Sequence, residues 1–420
     1  MSDSFTPAER SILAVSCYGH FISHFNMLVF PAVLLPLAAQ LNLPMAETLS
    51  LSFFMYFLFG VSAFPWGFAA DRCGARALLI VFYIGAGICA IITSLNVGNP
   101  LLFSISLAGI GLFSGIYHPA GLGWIAKEIK NTSRAMAFNG IFGNLGLAMA
   151  PLVAGFVFYY SGIKVLYFVV AVMNFFGLFL IFLTRNYKRG KPEIRGLNQT
   201  PSSPWTPFLI LLLAMTLGGI AYRGTSVTLP AYFELKSSGL FSTLSGLIGD
   251  IGSANLTATI LTSIIYIVGM GGQYFGGRIG EKYDLRISYL IFHAITIPAA
   301  IGMSLSGDMS LFWLAMIHSF FLLGMQPIEN TLVARLTPPC LLSSAYGMKF
   351  ILTFGVGALS VKFIGFVKTE WGIESIFMFI GMVSTLLCCV VVFLIKKTKP
   401  IKAEIRYPFY FAKPAKNMMS

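Results

Sequence analysis

Apolar runs of about 20 residues decide what this chain can fold into, because that is the length a helix needs to cross the hydrocarbon core of a bilayer. Twelve such runs follow one another, at 11–39, 48–70, 77–96, 101–126, 136–159, 164–184, 206–233, 256–279, 287–306, 309–334, 343–367 and 374–395. In lipid every backbone N–H and C=O needs a partner within the protein, which restricts crossing structures to helices and closed barrels; runs this long and continuous are helical. Charge agrees, since Asp, Glu, Lys and Arg make up 10% of 420 residues, against roughly 25% in soluble domains. The expected fold class is an all-α membrane protein with twelve transmembrane helices. The six cysteines lie in or beside apolar runs without disulfide or zinc spacing. The polar first ten residues, followed by a run too long for a signal h-region, predict no cleavable signal.

The longest polar interruption, "RNYKRGKPEIRGLNQTPSSPWTP" from Arg185 to Pro207, separates six runs from six. It divides the chain into a first six-helix bundle (1–184), a linker (185–205), a second bundle (206–396) and a tail (397–420). Basic residues favour the cytoplasmic side of a membrane. With the N-terminus inside, 22 Lys and Arg fall on inner segments and three on outer loops. That split predicts both termini in the cytoplasm of a cell inner (cytoplasmic) membrane. It also accounts for the +13 net charge through topology and anionic lipid rather than nucleic acid.

The two halves repeat each other. "GFAADRCGAR" maps onto "GRIGEKYDLR" at an offset of 210, pairing Gly67, Asp71 and Arg76 with Gly277, Glu281 and Arg286. Pro119 in "YHPAGL" meets Pro327 in "MQPIEN" at 208, and Pro31 meets Pro230 at 199. "GFV" at Gly155 recurs at Gly365, again at 210. Parallel repeats of this kind are the arrangement expected of a rocking transporter.

"GFAADRCGAR" resembles the signature loop of the major facilitator superfamily: Gly, three residues, Asp-Arg, one residue, Gly, one residue, then a basic side chain. The second copy, with Asp284 where Gly74 stands, resembles the weaker echo such proteins carry. The resemblance covers nearly the whole chain. It implies that Gly67, Asp71, Arg72 and Arg76, and with them Gly277, Glu281 and Arg286, act in gating, the first loop latching helix two to helix eleven when the cytoplasmic side is closed. A loop that only sets topology is the alternative. In run five, Gly146, Pro151 and Gly155 of "GNLGLAMAPLVAG" resemble the Gly- and Pro-containing element of antiporters in this superfamily, with Ala at two of its Gly positions. Small residues there permit close helix packing and Pro151 bends the helix. The intramembrane arginine that often accompanies this element in helix four is absent; Gly109 and Gly111 stand near its place.

Ionisable groups deep in a bilayer are costly and tend to face a cavity. Glu329 is the acidic residue set well inside a span and is the candidate proton carrier, because burial raises a carboxyl pKa. A structural ion pair with Lys349 or Arg335 is the other reading. Arg223 is the intramembrane cation suited to a carboxylate or phosphate, with a salt bridge to Glu329 or Glu234 as its alternative. The repeat places Arg223 opposite His24, and the first helices of each half commonly line the cavity in the resembled superfamily. His118 and its repeat partner Gln326 complete the expected substrate-binding set. His20 and His24 share a helix face at i, i+4, but no carboxylate or thiol pattern completes a metal site, so none is expected. Lys349 and Lys362 are expected to snorkel to the interfaces.

No GxSxG, HExxH or phosphate-binding Gly loop is found, which argues against an enzyme and against a nucleotide-driven pump. The expected function is a secondary active transporter of a small organic solute, anionic or zwitterionic, working as a monomer by alternating access, without cofactor and coupled to protons. The run-five element points to export in exchange for protons. Uptake by symport, uniport and a non-transporting receptor of the same fold are the alternatives.

Overall fold

The computed structural model describes residues 5–183, 205–248, 252–337 and 342–401. The linker expected at 185–205 lies outside these residues except for Trp205, as does the tail beyond residue 401. Every regular element among the described residues is helical. In chain order these are α1 (Pro7–Ala32), α2 (Leu34–Leu41), α3 (Met45–Ser50), α4 (Phe53–Val61), α5 (Ala63–Cys73), α6 (Ala75–Leu95), α7 (Pro100–Ser114), α8 (Tyr117–Glu128) and α9 (Thr132–Leu183) in the first half. The second half has α10 (Trp205–Lys236), α11 (Ser238–Ile248), α12 (Ala254–Lys282), α13 (Leu285–Leu305), α14 (Asp308–Gly324), α15 (Gln326–Leu336), α16 (Leu342–Phe350), α17 (Leu359–Trp371) and α18 (Ser375–Lys397). A π-turn, Ile351–Gly355, and a 3₁₀ turn, Val356–Ala358, join α16 to α17.

Among the described residues ten helical stretches are long and apolar enough to cross a membrane, or eleven if α2 with α3–α4, bent by 111°, is one crossing. One of the ten, 134–183, has 50 residues, about 75 Å at 1.5 Å per residue, against a hydrocarbon core of about 30 Å. Its backbone leaves the helix at Gly162, with φ 76° and ψ 176°, a conformation that favours glycine. The fifth and sixth apolar runs lie on either side of that break.

The other interruptions have local causes. Proline has no N–H to give the carbonyl four residues back, so Pro119 and Pro327 leave those of Gly115 and Leu323 without their helical donor. The chain breaks there in both halves, between α7 and α8 and between α14 and α15. Run two divides at Leu51–Ser52, where the Ser52 hydroxyl donates to the Leu49 carbonyl at 2.7 Å, a side-chain bond that competes with the helical ladder.

The outer surface is rich in apolar side chains, and polar groups are buried among the apolar core. Phe54, Phe68, Leu101, Phe182, Leu213, Leu305 and Met382 are exposed, whereas Asn26, Asn139, Asn174, Arg223, His293 and Glu329 are buried. Asn26 and Asn174 exchange amide hydrogen bonds at 3.2 Å each way, tying α1 to the second arm of α9. The halves meet along the end opposite the "GFAADRCGAR" loop. Gly365 of α17 lies against Ala46 of α3, Gly155 of α9 against Thr259 of α12, and the Asn255 amide donates to the Ala32 carbonyl at 2.9 Å. Nearer the middle, Gly60 of α4 packs directly on the backbone of Phe354 and Gly355, at the π-turn.

Candidate functional site

Three histidines of the first half converge. His20 and His24 stand one turn apart on α1, their Nε2 atoms 3.1 Å from each other. His118 lies in the first turn of α8, beside the break at Pro119, its ring 5.4 Å from His20 and 5.3 Å from His24. His20 Nδ1 lies 2.8 Å from the Asn139 carbonyl. A carbonyl only accepts, so that nitrogen carries the proton and Nε2 presents a lone pair. Tyr117 stacks on His20 at 4.9 Å and exchanges hydrogen bonds with the Asn139 side chain. His118 is 6% exposed, yet neither of its ring nitrogens has a hydrogen-bond partner among the described residues.

Across the interface stands Arg223 of α10, 2% exposed. Its guanidinium sits 4.0 Å from the ring centre of Tyr56, on α4 of the other half, and 6.0 Å from that of Phe354. No carboxylate lies within ion-pair distance of Arg223 among the described residues, and its Nε has no hydrogen-bond partner. The Glu234 considered as its partner instead accepts from Asn255 at 2.8 Å. Phe354 joins the two groups, since His118 stacks on Phe350 at 4.7 Å and lies parallel to Phe354 at 6.1 Å. The centre thus comprises one unneutralised cation, three imidazoles and an aromatic wall contributed by both halves.

Glu329 lies apart from this centre. Its Oε1 pairs with Lys349 Nζ at 2.7 Å and its Oε2 accepts from the Tyr289 hydroxyl at 2.7 Å. Lys349, 7% exposed, also donates to Asn330 Oδ1 at 2.5 Å. The expectation that Lys349 snorkels outward is therefore wrong: a buried carboxylate within reach holds the ammonium more strongly than the interface. Lys362 is exposed, over the ring of Phe53. Gln326 accepts from Gln273 at 2.7 Å, and Gln273 accepts from Asn144, so a chain of amides runs from α9 through α12 to α15. Sequence reading had no signal for Gln273 and Asn144, because neutral amides in a span are unremarkable until helix crossings bring them together.

In the loops expected to gate, several contacts are made within the loop's own half. Asp71 accepts from Lys127 at 2.8 Å, both side chains well exposed, and Arg76 donates to the Ile181 carbonyl at 2.9 Å. Arg72 is exposed in the last turn of α5. Gly74 has φ 87°, which favours glycine. A β-carbon on Gly67 would meet only Pro119, at an ordinary 3.7 Å, and one on Gly277 would meet nothing within 4 Å. Gly67 therefore makes no close helix contact; in the second half it is Gly276 that does, packed on the Gly324 carbonyl. Glu281 pairs with Arg278 at 3.8 Å. Asp284 caps α13 and grips the buried Arg286 at 2.6 Å. Burial pushes the Asp284 carboxyl up, but its bonds from Arg286 outweigh this and hold it below the usual range. In α9, Gly146 lies on the Phe21 carbonyl of α1, and Pro151 is inside the helix.

Comparison with known proteins accords with this architecture. The bacterial homologue of the human lysosomal transporter Spinster, in its inward-facing and occupied conformation, superposes with a TM-score of 0.73 at 14% identity, covering 94% of this chain and 98% of that one. A peptide transporter, POT, in complex with sulfate superposes with a TM-score of 0.72 at 14% identity, covering 92% and 94%. At these identities the likeness is one of fold. Multidrug resistance protein MdtG of Salmonella arizonae (strain ATCC BAA-731 / CDC346-86 / RSK2980) is 26% identical over 255 residues, and that of Salmonella paratyphi C (strain RKS4594) gives the same figures. The alignment takes in 59% of this chain and 61% of each relative, so the chain spans about three fifths of the length of the curated relatives it matches. The family model described as Major Facilitator Superfamily matches residues 17–309, and the chain belongs to that superfamily of membrane transporters.

Proposed function

We propose that the protein is a secondary active transporter that moves a small organic anion or zwitterion across the cytoplasmic membrane by alternating access. In this reading it has twelve crossings and both termini in the cytoplasm, and the state described above is open toward the cytoplasm. The observation that carries the substrate class is Arg223, buried at the meeting of the halves without an acid to neutralise it. An uncompensated charge in such a place costs several kcal/mol, and cation–π contact with Tyr56 offsets only about 2 kcal/mol of it. A carboxylate or phosphate bound bidentately would supply the missing charge and hydrogen bonds. His24 and His118 stand where they could donate to the same anion.

Glu329 carries the coupling proton in this proposal. Protonation would break its pair with Lys349, so the proton and the position of α15 against α16 would change together. Arg223, considered from sequence as an ion-pair partner of Glu329, has no contact with it, and Lys349 is the cation that pairs with the carboxylate. Export is favoured over uptake because the MdtG relatives are named for multidrug resistance and because of the run-five element. The test begins with a thermal-shift screen of metabolites and antibiotics on purified protein. Stabilising compounds should carry an acidic group and lose their effect with Arg223→Ala. They should then show counterflow in proteoliposomes, which a receptor would not. Neutral or cationic ligands that bind Arg223→Ala as tightly as the native protein would sink the reading.

A further inference from the structure

We propose that His20, His24 and His118 form a binding site for a borderline divalent transition metal, with Zn²⁺ as the reference ion, three imidazole ligands and a fourth position open. The ligand nitrogens of the three residues all lie within 4.8 Å of one another. In a tetrahedral zinc site, Zn–N bonds of about 2.0–2.1 Å set neighbouring nitrogens about 3.3 Å apart. His20 and His24, at 3.1 Å, already stand at that spacing, and a small turn of the His118 ring brings in the third ligand. Two further observations point to a ligand rather than to packing. His20 Nδ1 is fixed by a backbone carbonyl, the outer-shell bond that metal-bound histidines characteristically make, which leaves the Nε2 lone pair aimed at His24, whose Nε2–H it accepts when no metal is bound. His118 is buried with both ring nitrogens unpartnered, so its polar atoms have no assignment within the fold.

The donor set selects the metal. Three neutral nitrogens and no carboxylate suit Zn²⁺, Cu²⁺, Ni²⁺ or Co²⁺, not Ca²⁺ or Mg²⁺, which require oxygen. The complex keeps both charges of the metal and has Arg223 in its neighbourhood, so the fourth ligand is an anion such as hydroxide or chloride. The site does not depend on the transport reading, because it needs only these three side chains.

The full chain, purified in detergent with any affinity tag removed, is titrated with Co²⁺ as a spectroscopic probe and then with Zn²⁺. One equivalent of Co²⁺ should bind with the intense visible bands of a four- or five-coordinate ion, and Zn²⁺ should displace it. His24→Gln and His118→Gln should each weaken binding at least about tenfold, since even outer-shell changes cost about 10–100-fold. His293→Gln, also buried but outside the cluster, should bind as the native chain does. His118→Gln loses no hydrogen bond and should fold normally. As a second readout, Zn²⁺ should raise the melting temperature of the native protein and not of this variant. Absence of a stoichiometric site, or binding unchanged in both cluster variants, would overturn the proposal.

Discussion

Arg223 and Glu329 are equally deep in the molecule, each 2% exposed, and they meet the cost of burial in opposite ways. Glu329 is neutralised by Lys349 and hydrogen-bonded by Tyr289, whereas Arg223 lies against the rings of Tyr56 and Phe354 with no carboxylate among the described residues in reach. Removing one partner of a buried pair strands the other, at about 3–5 kcal/mol. Glu329→Gln should therefore lower thermal stability in detergent, and adding Lys349→Met should restore most of it by removing the orphaned ammonium. Stability and coupling then separate: the double variant should be stable yet unable to accumulate or expel substrate under an imposed pH gradient. A double variant that responds to the gradient as the native protein does would show that the proton travels elsewhere, with His24 or His118 next in line. Sequence singled out Arg223, Glu329, His24 and His118 because an ionisable residue in an apolar run is anomalous on its own. It could not decide between partners, which depend on helix crossings. Lys349 and Arg335 were equally plausible for Glu329, and the ligand that could complete a cluster with His20 and His24 is another histidine, His118, on a different helix.

The helix breaks show the same division between what is local and what is not. Those at Pro119 and Pro327 follow from a missing N–H and were implicit in the repeat, while the division of run two at Ser52 was not, because a serine in a span is usually silent. The loops between helices carry two predictions. Asp71 and Lys127 form an exposed pair, worth at most about 1 kcal/mol, so Asp71→Asn should leave folding and insertion intact. It should still impair transport if the loop latches the cytoplasmic side in the alternate state; full transport by that variant would remove the gating role. The weaker-looking second loop is itself firmly held, since Asp284 binds the α13 N-terminus and Arg286 together. Its folded-state carboxyl is held below the ordinary value, so its contribution to stability is present above the unfolded value of about 3.9 and is lost as pH falls through the lower folded value. Melting temperatures followed from pH 5 to pH 3 should fall more steeply for the native protein than for Asp284→Asn. Parallel curves would remove Asp284 from the acid response.

At the scale of the whole molecule, the contacts that matter most are those that must break for it to work. Alternating access requires the halves to part at the end where α3 meets α17, and there Ala46 and Gly365 stand side by side. A β-carbon on Gly365 would lie 3.5 Å from that of Ala46, within the about 3.5–4.5 Å that disulfides span. Gly365 is not among the glycines with positive φ, so a cysteine is tolerated. With the six native cysteines replaced, Ala46→Cys combined with Gly365→Cys should cross-link on mild oxidation without displacing either helix. Each single variant should transport normally. The cross-linked protein should bind ligand in detergent with Arg223 intact, because its central site is assembled in this state, yet neither exchange nor accumulate it in proteoliposomes. Reduction should restore transport. Loss of transport with binding retained is what a rocking pair of bundles demands and what a fixed channel between them does not. Undiminished transport by the oxidised protein would mean that the solute crosses without this end opening, and the two-state reading of the fold would fall with it.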